Sequence, residues 1–317
     1  MSLALRAPAE PPVIRARPAW DDPDAVRALI ASRGPFPTTI RFEDYGETLG
    51  EATTLPWFRE RWAVDGVADF TAAEPILHNP HFVAAARRSS GARVVRPQTA
   101  IVNLMGPQPA GPAHIDAPSF RGLRRGETPT LLLVVMGSSG LFERWRIAIA
   151  SAIAWWYDGP AGEFEYWPQG PEAPSEVERA PFENAALVGD NDSMFHRVCA
   201  IGCPEEYAPA GAFSIHAELQ LRPDGSAQVV EGGEVRWRYA PGRLRLSLLW
   251  KAHTFADEGA AAVCDGHEDD LGAERVLAVF GEDLARRGLR VPEPSHPFRD
   301  PVWLRAIAEA YPLRRPY

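Results

Sequence analysis

Ser-Ile-His-Ala-Glu-Leu-Gln-Leu at 214–221, Ala-Gln-Val-Val at 227–230, Val-Arg-Trp-Arg-Tyr at 235–239 and Arg-Leu-Arg-Leu-Ser-Leu-Leu at 243–249 follow one another with short turns between them. Each run is bounded by Gly- or Pro-containing segments and reads as a strand. Four short strands so spaced point to a sandwich or barrel, and the jelly roll, a double-stranded β-helix, is the natural expectation. Working outward, Thr99–Leu104 reads as a strand, and the continuous apolar run Thr130–Met136 reads as a buried one. From Arg146 to Tyr157, Ile147, Ile149, Ser151, Ile153 and Trp155 alternate with alanines and Trp156. Asp158-Gly159-Pro160 then predicts a hairpin into Glu163–Trp167. Ala185–Val188 leads to a turn at Gly189–Asp192.

Helix signals flank this β-rich stretch. Asp22-Pro23 and Asn79-Pro80 each place a capping side chain before a proline at the first helical position. Asp300-Pro301 does the same for a last helix through Tyr311, and Ala273–Leu284 precedes Gly288. The expectation is a mainly β chain with flanking helices and a double-stranded β-helix core. Residues 1–317 read as a single domain, with a mostly helical flank at 1–95, the jelly-roll core at 96–255 and C-terminal helices at 256–317. Residues 1–19, rich in Pro and Arg, are expected to be loosely attached.

The chain has 317 residues, 45% hydrophobic and 24% charged, enough for a substantial core. Its net charge is -9, and no Lys/Arg run exceeds a pair, which argues against a nucleic-acid partner. Cys199, Cys203 and Cys264 form neither a secreted disulfide framework nor a four-ligand zinc site, so they read as reduced thiols. No basic segment followed by an apolar one opens the chain, and no apolar run approaches membrane-spanning length. A soluble cytoplasmic protein without a membrane partner is expected.

His114-Ile115-Asp116 follows the Gly- and Pro-rich approach Pro107–Pro112, and His196 comes far downstream. Residues i and i+2 of an extended segment point the same way, so His114 and Asp116 can reach one metal. His196, after a turn and a buried strand, is placed to close the site from the opposite sheet. Two imidazoles and one carboxylate hold Fe(II) while leaving coordination positions open, the ligand set of oxygen-activating non-haem iron sites. His267-Glu268-Asp269 repeats the His-x-Asp pattern and His216-Ala217-Glu218 is a near match. The former lies in an acidic stretch and the latter has no Arg-x-Ser element beyond its partner, so both are weaker candidates.

Arg243, Arg245 and Ser247 alternate with Leu244, Leu246 and Leu248, putting the polar row on one face of a strand. If the leucines face the outer core, the arginines face the barrel interior. A buried guanidinium needs a partner, and a ligand carboxylate would supply one bidentately. Arg245 and Ser247 are the candidates, with Arg243 and Lys251 in reserve.

The order His-x-Asp, distal His, Arg-x-Ser within short strands resembles the Fe(II)/2-oxoglutarate-dependent oxygenases. Val102-Asn103-Leu104-Met105-Gly106-Pro107-Gln108-Pro109 is similar to the approach to the metal histidine in the isopenicillin-N-synthase-like branch. The resemblance covers about residues 96–255. It implies that His114, Asp116 and His196 bind Fe(II), and that Arg245 and Ser247, with Asn103 nearby, hold 2-oxoglutarate. Two features depart from the family: Arg245 lies 49 positions beyond His196, a gap that reads either as a β excursion returning to the barrel or as a sign that Arg245 is not the co-substrate arginine, and Leu104-Met105 stand where the branch often has a tyrosine.

The implied activity is C–H oxidation, hydroxylation or a related outcome, of a small molecule such as an amino acid or specialised metabolite, with dioxygen as the other substrate. Asp116 argues against halogenation, since halogenating relatives replace the metal carboxylate by a small residue. Arg121, Trp155, Tyr157, Trp167 and Phe195 are candidates for contacting that molecule. A 2-oxoglutarate-independent iron oxidase, a cupin-like metalloenzyme and a non-enzymatic jelly-roll binding protein are the other readings.

Overall fold

In the computed structural model, residues 13–39, 53–296, 298–313 and 316 are described. Among the described residues the strands in chain order are β1 Ile14–Ala16, β2 Phe36–Pro37, β3 Trp57–Val64, β4 Val67–Ala68, β5 Val94–Met105, β6 Ser119–Phe120, β7 Arg146–Trp156, β8 Phe164–Trp167, β9 Glu176–Glu178, β10 Ala186–Gly189, β11 Phe195–Val198, β12 Glu218–Leu221, β13 Ala227–Glu231, β14 Glu234–Tyr239 and β15 Arg245–Phe255. The large sheet has the order β1-β10-β7-β15-β5-β3-β4, with β6 paired to β7. The small sheet is β11-β8-β9. Bridges Gln108↔Ile201 and His114↔His196 lay the segment before β6 alongside β11.

The chain alternates between these sheets. It passes from β5 in the large sheet to residues 108–114 beside the small one, back to β7, across to β8 and β9, back to β10, across to β11, and finally to β15. With every named pair of strands antiparallel, this is the jelly-roll path expected from the strand spacing. The long gap before Arg245 is occupied by β12–β14, which form a separate four-stranded sheet with β2. The excursion leaves the barrel and returns to it, the first of the two alternatives that the gap allowed.

Strand β15 is central because it binds β5 on one side and β7 on the other. Its parity decides what faces the interior. Leu248, Trp250 and Ala252 are fully buried in the larger apolar cluster, with Phe82 and Ala86 of the helix Pro80–Ser90. Burial of each large apolar side chain contributes roughly 1.5–3 kcal/mol. Trp250 Nε1 also donates to the Leu77 carbonyl at 2.6 Å. Arg245, Ser247, Lys251 and His253 therefore take the other face.

Three expectations need correction. Thr130–Ser139 is a helix, ended by Gly140 at φ 68°. A short apolar run has no periodicity to separate a strand from a buried helix, and here Leu132, Leu133 and Met136 pack at helical spacing against Phe280, Trp303 and Ile307 of the C-terminal helices. Second, β7 and β8 are not a hairpin. The turn at 158–160 carries the chain from one sheet to the other, so β7 pairs with β10 and β15 while β8 pairs with β11 and β9. Third, the described part of residues 1–95 is not mostly helical, because β3 joins the large sheet beside β5 and β1 pairs with β10. The expectation of loose attachment falls partly on residues 1–12, outside the described residues, while 13–19 include β1.

The helix caps follow the sequence. Asn79 Oδ1 accepts from His81 N and Phe82 N, and Asp300 Oδ1 from Val302 N and Trp303 N. No helix among the described residues is long and apolar enough to cross a membrane.

Candidate metal centre

His114 and His196 are directly paired across two antiparallel segments. His114 N donates to His196 O at 3.0 Å, and His196 N donates to His114 O at 2.9 Å. Asp116 N donates to Asn191 O at 2.8 Å, which fixes the extended backbone on the far side of the pair. The i, i+2 relationship then puts His114 and Asp116 on one face, and cross-strand pairing adds His196 to it. One ligand atom from each of the three lies within 4.8 Å of the others. Among the described residues this is the one such grouping of three or more His, Cys, Asp or Glu. His196 is therefore on the strand next to His114, not on the opposite sheet as the sequence suggested.

Both rings are oriented by the same device. His114 Nδ1 lies 3.0 Å from the Pro112 carbonyl, and His196 Nδ1 lies 3.0 Å from the Met194 carbonyl. A carbonyl accepts only, so each Nδ1 carries the proton and each Nε2 keeps its lone pair for a ligand. His196 is 5% exposed, and burial pulls its pKa below the usual imidazole value against the opposing charge of Asp116. A neutral imidazole is the form a metal requires.

Asp116 divides its two oxygens. Oδ1 lies 3.7 Å from His196 Nε2, and Oδ2 lies 2.8 Å from Lys251 Nζ. Burial works to raise the Asp116 pKa, but the Lys251 charge and hydrogen bond and the His196 charge outweigh it, holding the carboxyl well below its usual range. Lys251 also meets Asp192 Oδ1 at 2.6 Å, and Arg125 meets Asp192 Oδ2 at 3.2 Å. Burial works against the Lys251 ammonium, yet the Asp116 and Asp192 charges raise its pKa above the ordinary value.

Arg245 enters the interior from the large sheet and is 1% exposed. Its Nε donates to the Gly162 carbonyl at 2.7 Å, while its Nη2 is buried with no hydrogen-bond partner among the described residues. Its guanidinium carbon lies 5.9 Å from the Trp155 ring, and Trp155 Nε1 is likewise buried and unpartnered. Contacts continue from Trp155 to Phe164 at 5.5 Å and from Phe164 to His196 at 5.6 Å. Ser247 lies opposite both Asn103 and Trp155 in register. Arg243, the reserve candidate, is instead 40% exposed and paired with Glu206.

Not every predicted site residue is placed there. Asn103 Oδ1 accepts from Trp57 Nε1 and Arg59 Nε, so its oxygen is committed within the fold. Arg121 is held by Asp269 through three contacts of 2.9–3.2 Å, which removes it as a free carboxylate binder. Trp167 and Phe195 pair with each other on the face of the small sheet opposite His196. Alternation along β8 and β11 makes Phe164 and Tyr166 the aromatics on the His196 side, the reverse of the expected parity. Trp155 and Tyr157 are buried with Met105 and Phe164, and Tyr157 donates to the Pro160 carbonyl at 2.8 Å. His216 is exposed, and His267 is exposed and bonded to Asp270.

Asp192 and Arg125 were not singled out from the sequence, and Lys251 was considered only as a carboxylate holder. The available signal for Lys251 was its parity with Arg245 and Ser247. Nothing local marks Asp192, which lies 59 positions from the ammonium it meets.

No family model matches this chain, and no curated protein matches it. Several solved structures are similar. An oxidoreductase of the 2OG-Fe(II) oxygenase family from Burkholderia pseudomallei has 15% identity and a TM-score of 0.40, over 76% of this chain and 84% of that one. A Pseudomonas putida prolyl-4-hydroxylase has 14% identity and a TM-score of 0.39, over 78% of this chain and 95% of that one. HygX from Streptomyces hygroscopicus, with nickel, 2-oxoglutarate and hygromycin B bound, has 9% identity and a TM-score of 0.35, over 77% and 83%.

Proposed function

We propose that this chain is a non-haem Fe(II)/2-oxoglutarate-dependent oxygenase that oxidises a C–H bond of a small molecule. The observation that carries the reading is the convergence of one ligand atom each from His114, Asp116 and His196 within 4.8 Å of one another. The donor set fits Fe(II): two neutral imidazoles and a carboxylate leave part of the coordination sphere open. Arg245 fits the co-substrate, because its buried Nη2 lacks a partner and a carboxylate would supply one. Burial lowers the Arg245 pKa to about 10, which still leaves a cation at neutral pH.

In this reading His114, Asp116 and His196 hold the metal, while Arg245 and Trp155 Nε1 take the distal carboxylate of 2-oxoglutarate. Trp155 moves from the substrate wall to the co-substrate side, since its unpartnered donor lies beside Arg245. Ser247, on the same face, is a further donor to that carboxylate. When bound, Fe(II) and 2-oxoglutarate supply the activation of dioxygen. The protein's part is positional: the two Nδ1 hydrogen bonds fix the imidazole edges, and Phe164 packs beside His196 and limits water there.

The test is anaerobic titration of metal-free protein with Fe(II) and 2-oxoglutarate, watching the visible charge-transfer band of a chelated keto acid. The expected result is a saturable band that Arg245→Leu weakens and that His114→Ala and His196→Ala abolish. Iron binding without a band would move the assignment to a 2-oxoglutarate-independent oxidase.

A further inference from the structure

Lys251 is the chain's single lysine, and it is buried against the candidate metal ligand Asp116. Four charged groups meet there: Asp116, Lys251, Asp192 and Arg125, joined in that order by contacts of 2.8, 2.6 and 3.2 Å. Arg125 additionally donates to Ser119 Oγ at 3.2 Å and to the Ala117 carbonyl, one residue beyond Asp116. Two carboxylates and two cations balance with no metal present. The arrangement is built rather than incidental, since the side chains of Lys251 and Asp192 are 7% and 2% exposed.

We propose that Lys251 is a resident counter-cation of the metal site. It holds the Asp116 carboxylate in place when no metal is bound, and it weakens metal binding by sharing that carboxylate. This rests on the metal-site reading above. The physical reason is a competition. The ammonium is attracted to Asp116 most strongly when Asp116 has no other cation, and an arriving divalent ion both shares the carboxylate and repels the ammonium at low effective dielectric. Lys251 therefore stabilises the metal-free state more than the loaded state, and by linkage it lowers affinity. Asp192 acts in the opposite sense, because it draws the ammonium away from Asp116.

The experiment is Co(II) binding to the metal-free full chain, followed by calorimetry and by the visible Co(II) spectrum, with thermal melts of both forms. In Lys251→Met, Co(II) is expected to bind at least ~10-fold more tightly while the metal-free protein melts lower. In Asp192→Asn, Co(II) is expected to bind at least ~10-fold more weakly. A merely structural lysine would lower stability and affinity together. Folded Lys251→Met that binds Co(II) no tighter than wild type overturns the inference. Should that variant not fold, Asp192→Asn decides alone, and unchanged or tighter binding there overturns it. Failure of the wild-type chain to bind Co(II) is a different result, which removes the metal site itself.

Discussion

His114 and His196 exchange both backbone hydrogen bonds, and each ring ties its Nδ1 to the carbonyl two residues earlier. The two imidazoles take the same main-chain hydrogen bond at Nδ1 and lie at a ring separation of 4.5 Å. Such a pair is preorganised before any metal arrives. What the centre then does depends on groups from the large sheet, and those carry the predictions.

Arg245 is the first. If it holds the co-substrate as proposed, replacing it with Met or Leu removes a buried charge-assisted contact and is expected to weaken 2-oxoglutarate by about 2–3 kcal/mol, or ~10²-fold. Fe(II) affinity measured without 2-oxoglutarate should hold. Equal loss of both would place Arg245 in the fold rather than the site.

Trp155→Phe keeps an aromatic ring against Phe164 and Phe182 and deletes the unpartnered Nε1 together with part of the indole. Loss of one hydrogen bond to a carboxylate corresponds to about 1.5–3 kcal/mol, a roughly 12- to 160-fold rise in the 2-oxoglutarate Kd. An unchanged Kd by calorimetry would return Trp155 to the plain core.

Gly162 sits at φ +79°, and a Cβ there would lie 2.6 Å from Tyr157 Cε1 and 3.4 Å from Arg245 Cδ. Its carbonyl also orients Arg245 Nε. Gly162→Ala is expected to destabilise by at least about 1–2 kcal/mol through the left-handed backbone alone. It should also weaken 2-oxoglutarate. A melt and a co-substrate titration on the same sample check both.

His253 gives a pH dependence away from the metal ligands. Burial, then the charge of Arg125, lowers its pKa to about 4. Between the unfolded value near 6.5 and about 4, the unfolded chain binds the proton and the folded chain does not. Stability therefore rises with pH across that window and falls as pH drops from about 6.5 to about 4, by up to roughly 3 kcal/mol. Thermal melts of wild type and His253→Gln should show a shallower acid slope in the variant. Parallel slopes would reject the assignment.

Much of this was legible beforehand because it is local. The His-x-Asp spacing places two ligands on one face of any extended segment, and the alternation through Arg243–Lys251 separates leucines from polar groups whatever the sheet does with them. Proline after Asp22, Asn79 and Asp300 marks helix starts by chemistry that acts within a few residues. The Thr130–Met136 run failed for the complementary reason: its type was decided by the C-terminal helices it packs against.

The sequence by itself determined the types of the candidate ligands, their order and the two-residue period that sets His114 and Asp116 on one face. Only the tertiary structure decided which strand is neighbour to which. That register put His196 beside His114, turned Phe164 and Tyr166 toward it and Trp167 and Phe195 away, gave Arg121 to Asp269 across 148 positions, and brought Lys251 to Asp116. Periodicity is set by bonds along the chain, whereas register and ion pairing are set by contacts between segments far apart in it, where a shift of one residue reverses every side chain.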